Sequence, residues 1–202
     1  MQIIQFKNAL IPITVALAFI VGLGCKKSGD SSASLNSQEK VMIEMKTTMG
    51  DIVLELDPAK APKTVANFVE YAKSGFYDGT IFHRVIETFV IQGGGLDATM
   101  KEKETRAPIE NEANNGLSNK AFTICMARTN DPNSATSQFF INTKDNPNLD
   151  YKGPSQPGYA VFGKVTQGED VIKKIAAVKT TRKGYFDDVP ETPVVIEKVS
   201  VK

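Results

Sequence analysis

The chain has 202 residues, 41% hydrophobic and 23% charged, which is length and apolar content enough for one domain with a real core. Its 24 Lys+Arg stand against 23 Asp+Glu, so there is no basic excess of the kind a nucleic-acid partner would call for. One histidine and two cysteines are too few for the usual His/Cys metal sets, and no metal is expected.

Residues 1–24 differ from the rest. Lys7 is their only charge, and the run from Ala9 to Gly24 is uncharged. That run is short for a membrane span and is interrupted by Pro12 and Thr14. A basic start, an apolar middle and small residues at the end read as a secretory signal. Cys25 directly follows Gly22-Leu23-Gly24. This resembles the lipobox of bacterial lipoproteins, although Gly22 stands where an aliphatic residue is usual. The resemblance implies cleavage before Cys25, lipidation of Cys25, and a chain exported to the bacterial cell envelope. There it would be anchored to a membrane, facing the periplasm or the cell surface. Loss of residues 1–24 would remove Lys7 and no acid, leaving the remainder formally neutral. Residues 25–40 are polar, Ser-rich and without aromatics, which predicts a flexible tether; 41–202 is the folded domain.

Within that domain, 40–47 and 51–56 alternate apolar and polar residues around Met49-Gly50-Asp51, a hairpin signal. After two prolines, Val65, Phe68, Val69 and Ala72 fall at i, i+3, i+4 and i+7, which predicts an amphipathic helix over 64–75 stopped by Gly75. Strands are predicted at 81–86 and 89–94. The polar stretch 99–120 reads as an exposed loop. Strands follow at 121–127 and 137–143, then a proline-rich loop over 145–158 and a strand at 158–165. A second helix is predicted over 169–178, with Val171, Ile172, Ile175 and Val178 on one side and Asp170 as a candidate cap. A last strand is expected at 193–201. Eight short strands without regular intervening helices argue against a βαβ parallel sheet and for an antiparallel barrel or sandwich, with two helices to cover the open ends.

The segment FHRVIETFVIQGGG (82–95) has the hydrophobicity of core strands yet holds Arg84, Gln92 and the sole histidine, His83. A half-buried guanidinium is costly unless paired, so Arg84 in an apolar strand needs a reason. Gln138 in SQFF adds a second amide beside two phenylalanines, and Phe89, Val90, Phe140, Leu149 and Ala127 could wall an apolar hollow. Such a hollow suits an apolar group next to a peptide bond. GxSxG, HExxH and GxxxxGK[ST] are all absent, so any reaction should need neither a covalent intermediate nor a cofactor. Cys125, between Ile124 and Met126, reads as a small buried hydrophobe.

FHRVI…FVIQGG, then NEANNGL, ICMAR, SATSQFFINT, NLD and GYAVFGKV, together resemble the cyclophilin family of peptidyl-prolyl cis-trans isomerases, in its bacterial periplasmic form. The resemblance covers about residues 41–200. It implies a mainly β fold, a closed eight-stranded antiparallel barrel capped by two helices, acting on proline-containing polypeptides. An exported isomerase of this kind would assist folding of envelope or secreted proteins, and is expected as a monomer. Arg84 would be the main catalytic side chain. Gln92 would bind the substrate backbone and help to place Arg84. Phe89, Val90, Phe140 and Leu149 would line the proline pocket, with Tyr159 at its edge. Ala127, Arg128 and Gln138 would lie along the groove for residues before the proline, with His83 beside the site. Amide rotation transfers no proton, so His83 is expected to be structural rather than a base. A domain that only holds proline segments and a hydrolase built on His83 are the competing readings. Asn148 stands where many members carry an aromatic that contacts cyclosporin, which implies weak binding of that inhibitor.

Overall fold

The computed structural model describes residues 39–202. The signal segment 1–24, the lipidation site Cys25 and nearly all of the tether 25–40 lie outside the described residues.

Strands β1 (Val41–Thr47) and β2 (Gly50–Leu56) form the first hairpin, with Thr47 opposite Gly50 across a Thr48-Met49 turn. Helix α1 spans Pro62–Lys73, two residues earlier at each end than its apolar spacing suggests. Proline suits the first helical position because its missing N–H is an orphan there anyway. Then come β3 (Thr80–Ile86), β4 (Val90–Asp97), β5 (Thr123–Met126), β6 (Phe139–Asn142) and β7 (Val161–Gln167). Helix α2 (Glu169–Ala176) is capped not by Asp170 but by Gly168 in the left-handed region (φ 88°). Asp170 lies in the first turn, where its charge suits the helix dipole, and it pairs with Lys174 at 3.0 Å. Strands β8 (Thr180–Lys183) and β9 (Phe186–Pro190) form a separate hairpin that the sequence reading missed, and β10 (Ile196–Val201) ends the chain.

Eight strands make one antiparallel sheet in the order β10-β1-β2-β7-β5-β6-β4-β3. Its two edges approach each other. Ile81 bridges to Val195, the Phe82 N–H donates to the Val194 carbonyl at 3.0 Å, and the Gly79 N–H to that of Ile196 at 2.8 Å. The result is a nearly closed barrel with two helices, as expected.

Side chains alternate across this wall. Phe82, Ile91, Ile124, Phe139 and Phe162 point into the barrel core together with Phe68 of α1. Their neighbours Val90, Cys125, Phe140 and Val161 form a second buried cluster on the outer side. Both faces of β4, β5 and β6 are therefore covered, which explains their almost continuous apolar runs in the sequence. The cover on the outer side comes from loops bearing Phe89, Leu117, Leu149 and Tyr159.

Candidate active site

One cross-strand row builds the site. Arg84 of β3 sits opposite Gln92 of β4, Gln92 opposite Phe140 of β6, and Phe140 opposite Cys125 of β5. Residues in register on one face of a sheet are held as near neighbours by the backbone ladder, not by loop conformation. At the polar end of this row a hollow of about 90 Å³ opens, lined by Arg84, Phe89, Val90, Gln92, Phe140, Leu149 and Tyr159. These residues come from β3, β4, β6 and two loops. Ala127 packs against the same outer cluster.

Arg84 is half-buried, and among the described residues its guanidinium has no hydrogen bond and no carboxylate within 4 Å. Its Cζ lies 5.9 Å from the Phe89 ring centroid. A cation kept beside an aromatic face and left without an anion is poised for an outside acceptor. Gln92 does not brace it by a direct bond: the Gln92 amide nitrogen donates to Gln138 Oε1 at 3.0 Å. The Gln92 oxygen and the Gln138 nitrogen stay available to a ligand. Arg128 is committed elsewhere. It stacks on Tyr159 (4.4 Å to the centroid) and donates to the Gly158 carbonyl through Nε (3.0 Å) and Nη2 (2.9 Å). Tyr159 in turn meets Phe140 edge-on at 5.6 Å, so Arg128 fixes the pocket edge rather than offering a free charge.

His83 is 4% exposed, and its Nδ1 has no partner. Burial, and then the neighbouring Arg84 charge, lower its pKa to about 4, so the ring is neutral near pH 7.

The chain's residues 42–201 match the family model of cyclophilin type peptidyl-prolyl cis-trans isomerases. The chain belongs to the cyclophilin family. It is 58% identical over 161 residues to peptidyl-prolyl cis-trans isomerase cyp18 of Streptomyces antibioticus, covering 79% of this chain and 97% of that protein. Peptidyl-prolyl cis-trans isomerase B of Escherichia coli is 52% identical over 162 residues, covering 79% and 99%. Among solved structures, a Cryptosporidium parvum cyclophilin crystallised in the presence of the dipeptide Ala-Pro superposes with a TM-score of 0.69 at 26% identity, covering 80% of this chain and 98% of that one. This cyclophilin is a peptidyl-prolyl cis-trans isomerase that acts on proline-containing peptides.

Two parts of its site escaped the sequence reading. The first is a buried amide network under the hollow beside Arg84. Asn142 Nδ2 faces Thr123 Oγ1 (3.0 Å), Cys125 Sγ (3.3 Å) and Asn119 Oδ1 (3.3 Å), while Asn146 Nδ2 donates to Asn142 Oδ1 (2.7 Å) and to the Phe89 carbonyl (2.9 Å). Asp150 accepts from the Asn119 backbone at 2.7 Å. The loops that carry Phe89 and Leu149 are thereby tied to the barrel wall. Cys125, donating to Asn119 Oδ1 at 3.1 Å, belongs to this network, and burial pushes its thiol pKa well up, away from reactivity. The second part is the β8–β9 hairpin, which packs along β3 and sets Phe186 edge-on to His83 at 6.3 Å.

The glycines beside Gln92 are required by close approach. A Cβ on Gly95 would fall 2.5 Å from Gln138 Cγ; one on Gly94 (φ 82°) would fall 2.7 Å from the Phe139 ring.

Proposed function

We infer that this isomerase accelerates rotation about X–Pro bonds by means of Arg84, and does so on exported or envelope polypeptides while held at a membrane by a lipidated Cys25. The X–Pro bond resists rotation by ~18–20 kcal/mol, because the nitrogen shares its lone pair with the carbonyl. In the twisted transition state that sharing is lost, and the nitrogen becomes a pyramidal hydrogen-bond acceptor. The proline ring enters the hollow between Phe89, Val90, Phe140 and Leu149. The guanidinium of Arg84 then donates to the ring nitrogen as it twists. A planar amide nitrogen is a poor acceptor, so this contact stabilises the transition state more than the ground state. The free amide groups of Gln92 and Gln138 hold the substrate backbone on one side of the bond, so that the other side turns.

The observation that carries this reading is the unpaired Arg84 guanidinium at the rim of an apolar, aromatic-walled hollow. Neither chemistry nor geometry gives His83 a base's role: amide rotation moves no proton, and burial makes the ring a weak proton acceptor. The test is a protease-coupled assay on a short X–Pro peptide. Arg84→Ala is expected to lose about 10²–10³ in kcat/KM, the usual effect of removing one preorganised donor. Equal turnover by the two proteins would end the mechanism.

The export and anchor parts rest on the Cys25 lipobox and the Ser-rich tether behind it. In cells fed a radioactive fatty acid, wild type should take up label and Cys25→Ala should not. Label retained by the variant would remove the anchor.

A further inference from the structure

The β8–β9 hairpin covers a second hollow, of about 430 Å³, lined by His83, Arg84, Gln92 and Gln138 on one side and by Tyr185, Phe186, Asp187 and Asp188 on the other. It shares Arg84 and Gln92 with the proline hollow, so the two open into one groove.

The hairpin is built to present its carboxylates. Thr181 pairs with Val189 and Lys183 with Phe186, so Asp187 and Asp188 together face the single residue Arg182. Two residues against one is a β-bulge, a device that re-aims side chains. Asp188 absorbs it with φ 58°, a left-handed conformation rare outside glycine. Among the described residues the Asp188 carboxylate has no hydrogen bond and no ion pair. Asp187 has one weak pairing, to Arg182 at 3.5 Å, with both side chains about 70% exposed. Tyr185, at the hairpin tip, is 97% exposed. On the opposite side His83, 4% exposed, forms part of the wall of the hollow, with its Nδ1 buried. Its ring is uncharged near pH 7, so it adds no positive charge of its own.

We propose that this hollow is a specificity subsite for a lysine or arginine of the substrate lying a residue or two before the X–Pro bond, with Asp187 and Asp188 receiving the cation. The direction is the one the family resemblance implies for Gln138, which lines the hollow and whose carbonyl accepts from the Ala127 N–H at 3.0 Å. Tyr185 and Phe186 offer apolar surface to the methylene stem while the charged head reaches the carboxylates. Arg84 repels the cation toward the hairpin, away from the ring nitrogen. This subsite rests on the reading of Arg84 and the proline hollow given above.

The test uses NMR exchange rates on three peptides, acetyl-Z-Ala-Pro-Phe-amide, with Z as lysine, norleucine or glutamate. For wild type at low salt, kcat/KM for lysine should exceed that for norleucine by about threefold, with glutamate below both, the scale of a solvent-exposed ion pair. The lysine preference should shrink toward 1 in about 0.5 M salt. It should also vanish in Asp187→Asn/Asp188→Asn, a pair chosen because asparagine tolerates φ > 0. A wild-type lysine-to-norleucine ratio of about 1, or a ratio that survives in the double variant, overturns the subsite. The norleucine peptide reports separately: failure to isomerise it overturns the reading of Arg84, whereas normal turnover without a lysine preference overturns only the subsite.

Discussion

His83 and Arg84 are adjacent in β3, yet the fold treats them in opposite ways. Arg84 keeps its charge at the rim of two hollows, while His83 is buried and held neutral by burial and by that same charge. The unfolded chain binds a proton at His83 near pH 6.5, and the folded chain only near pH 4. Between those values the unfolded state holds more protons, so stability falls as pH is lowered through this window. The exposed carboxylates with lowered pKa, such as Glu44 and Glu110, start from an ordinary value of 4.5 and act mainly below it. The span from pH 6.5 down to about 4.5 therefore belongs to His83, with a slope of up to about 1.4 kcal/mol per pH unit. Urea midpoints measured across this span should fall for wild type and stay nearly flat for His83→Gln. A flat wild-type curve would mean that His83 is protonated in the fold. Arg84 was legible in the sequence because a permanent charge inside an apolar strand demands a use. The burial of His83 was legible only as a preference, since its lid, Phe186, lies about a hundred residues away.

At the scale of elements, α1 shows what local sequence could and could not reveal. Its buried face, with Val65, Phe68, Val69 and Ala72, follows from helical spacing. Its N-terminus does not, because Ala61 offers no capping side chain. The cap comes from Glu112 in the polar loop after β4, which accepts from the backbone N–H groups of Lys63 (3.1 Å) and Thr64 (2.8 Å) and from the Thr64 hydroxyl (2.7 Å). This satisfies donors that a helix start leaves orphaned, and places a negative charge at the positive end of the dipole. Glu112→Ala should lower stability by about 1–2 kcal/mol, read as a shift of the urea midpoint, with isomerase activity retained. No shift would mean that water replaces the carboxylate at no cost. The β8–β9 hairpin was illegible for a different reason. Strand β8 is exposed almost throughout, so TTRKGYFDD carries no alternation of apolar and polar residues and reads as a loop.

Across the whole molecule, the barrel's inner cluster supplies the fold and its outer cluster supplies the site, through alternate residues of the same strands. The family's motifs lie along this outer wall: one hollow unites Arg84, Phe89, Val90, Gln92, Phe140, Leu149 and Tyr159. The hidden part is how the loops that complete it are fastened. Asn142, 0% exposed at the end of β6, is the hub, joining Asn119, Thr123, Cys125 and Asn146. Asn119 and Asn146 stand in sequence that reads as loop, Asn142 at the end of a predicted strand, and nothing in their spacing shows that the three converge in the interior. Cutting the hub leaves buried polar partners unsatisfied, at about 1–3 kcal/mol in lost stability. It also frees Asn146, which otherwise holds the Phe89 carbonyl, and so loosens one wall of the hollow beside Arg84. Asn142→Ala should therefore lower the thermal midpoint and raise KM for an X–Pro peptide. At a temperature where the variant is still fully folded, kcat should fall less than the Arg84→Ala loss, because the guanidinium stands on β3, outside the network. A variant with lowered stability and an unchanged KM would show that the hollow keeps its shape without the anchor, and that the network serves the barrel alone.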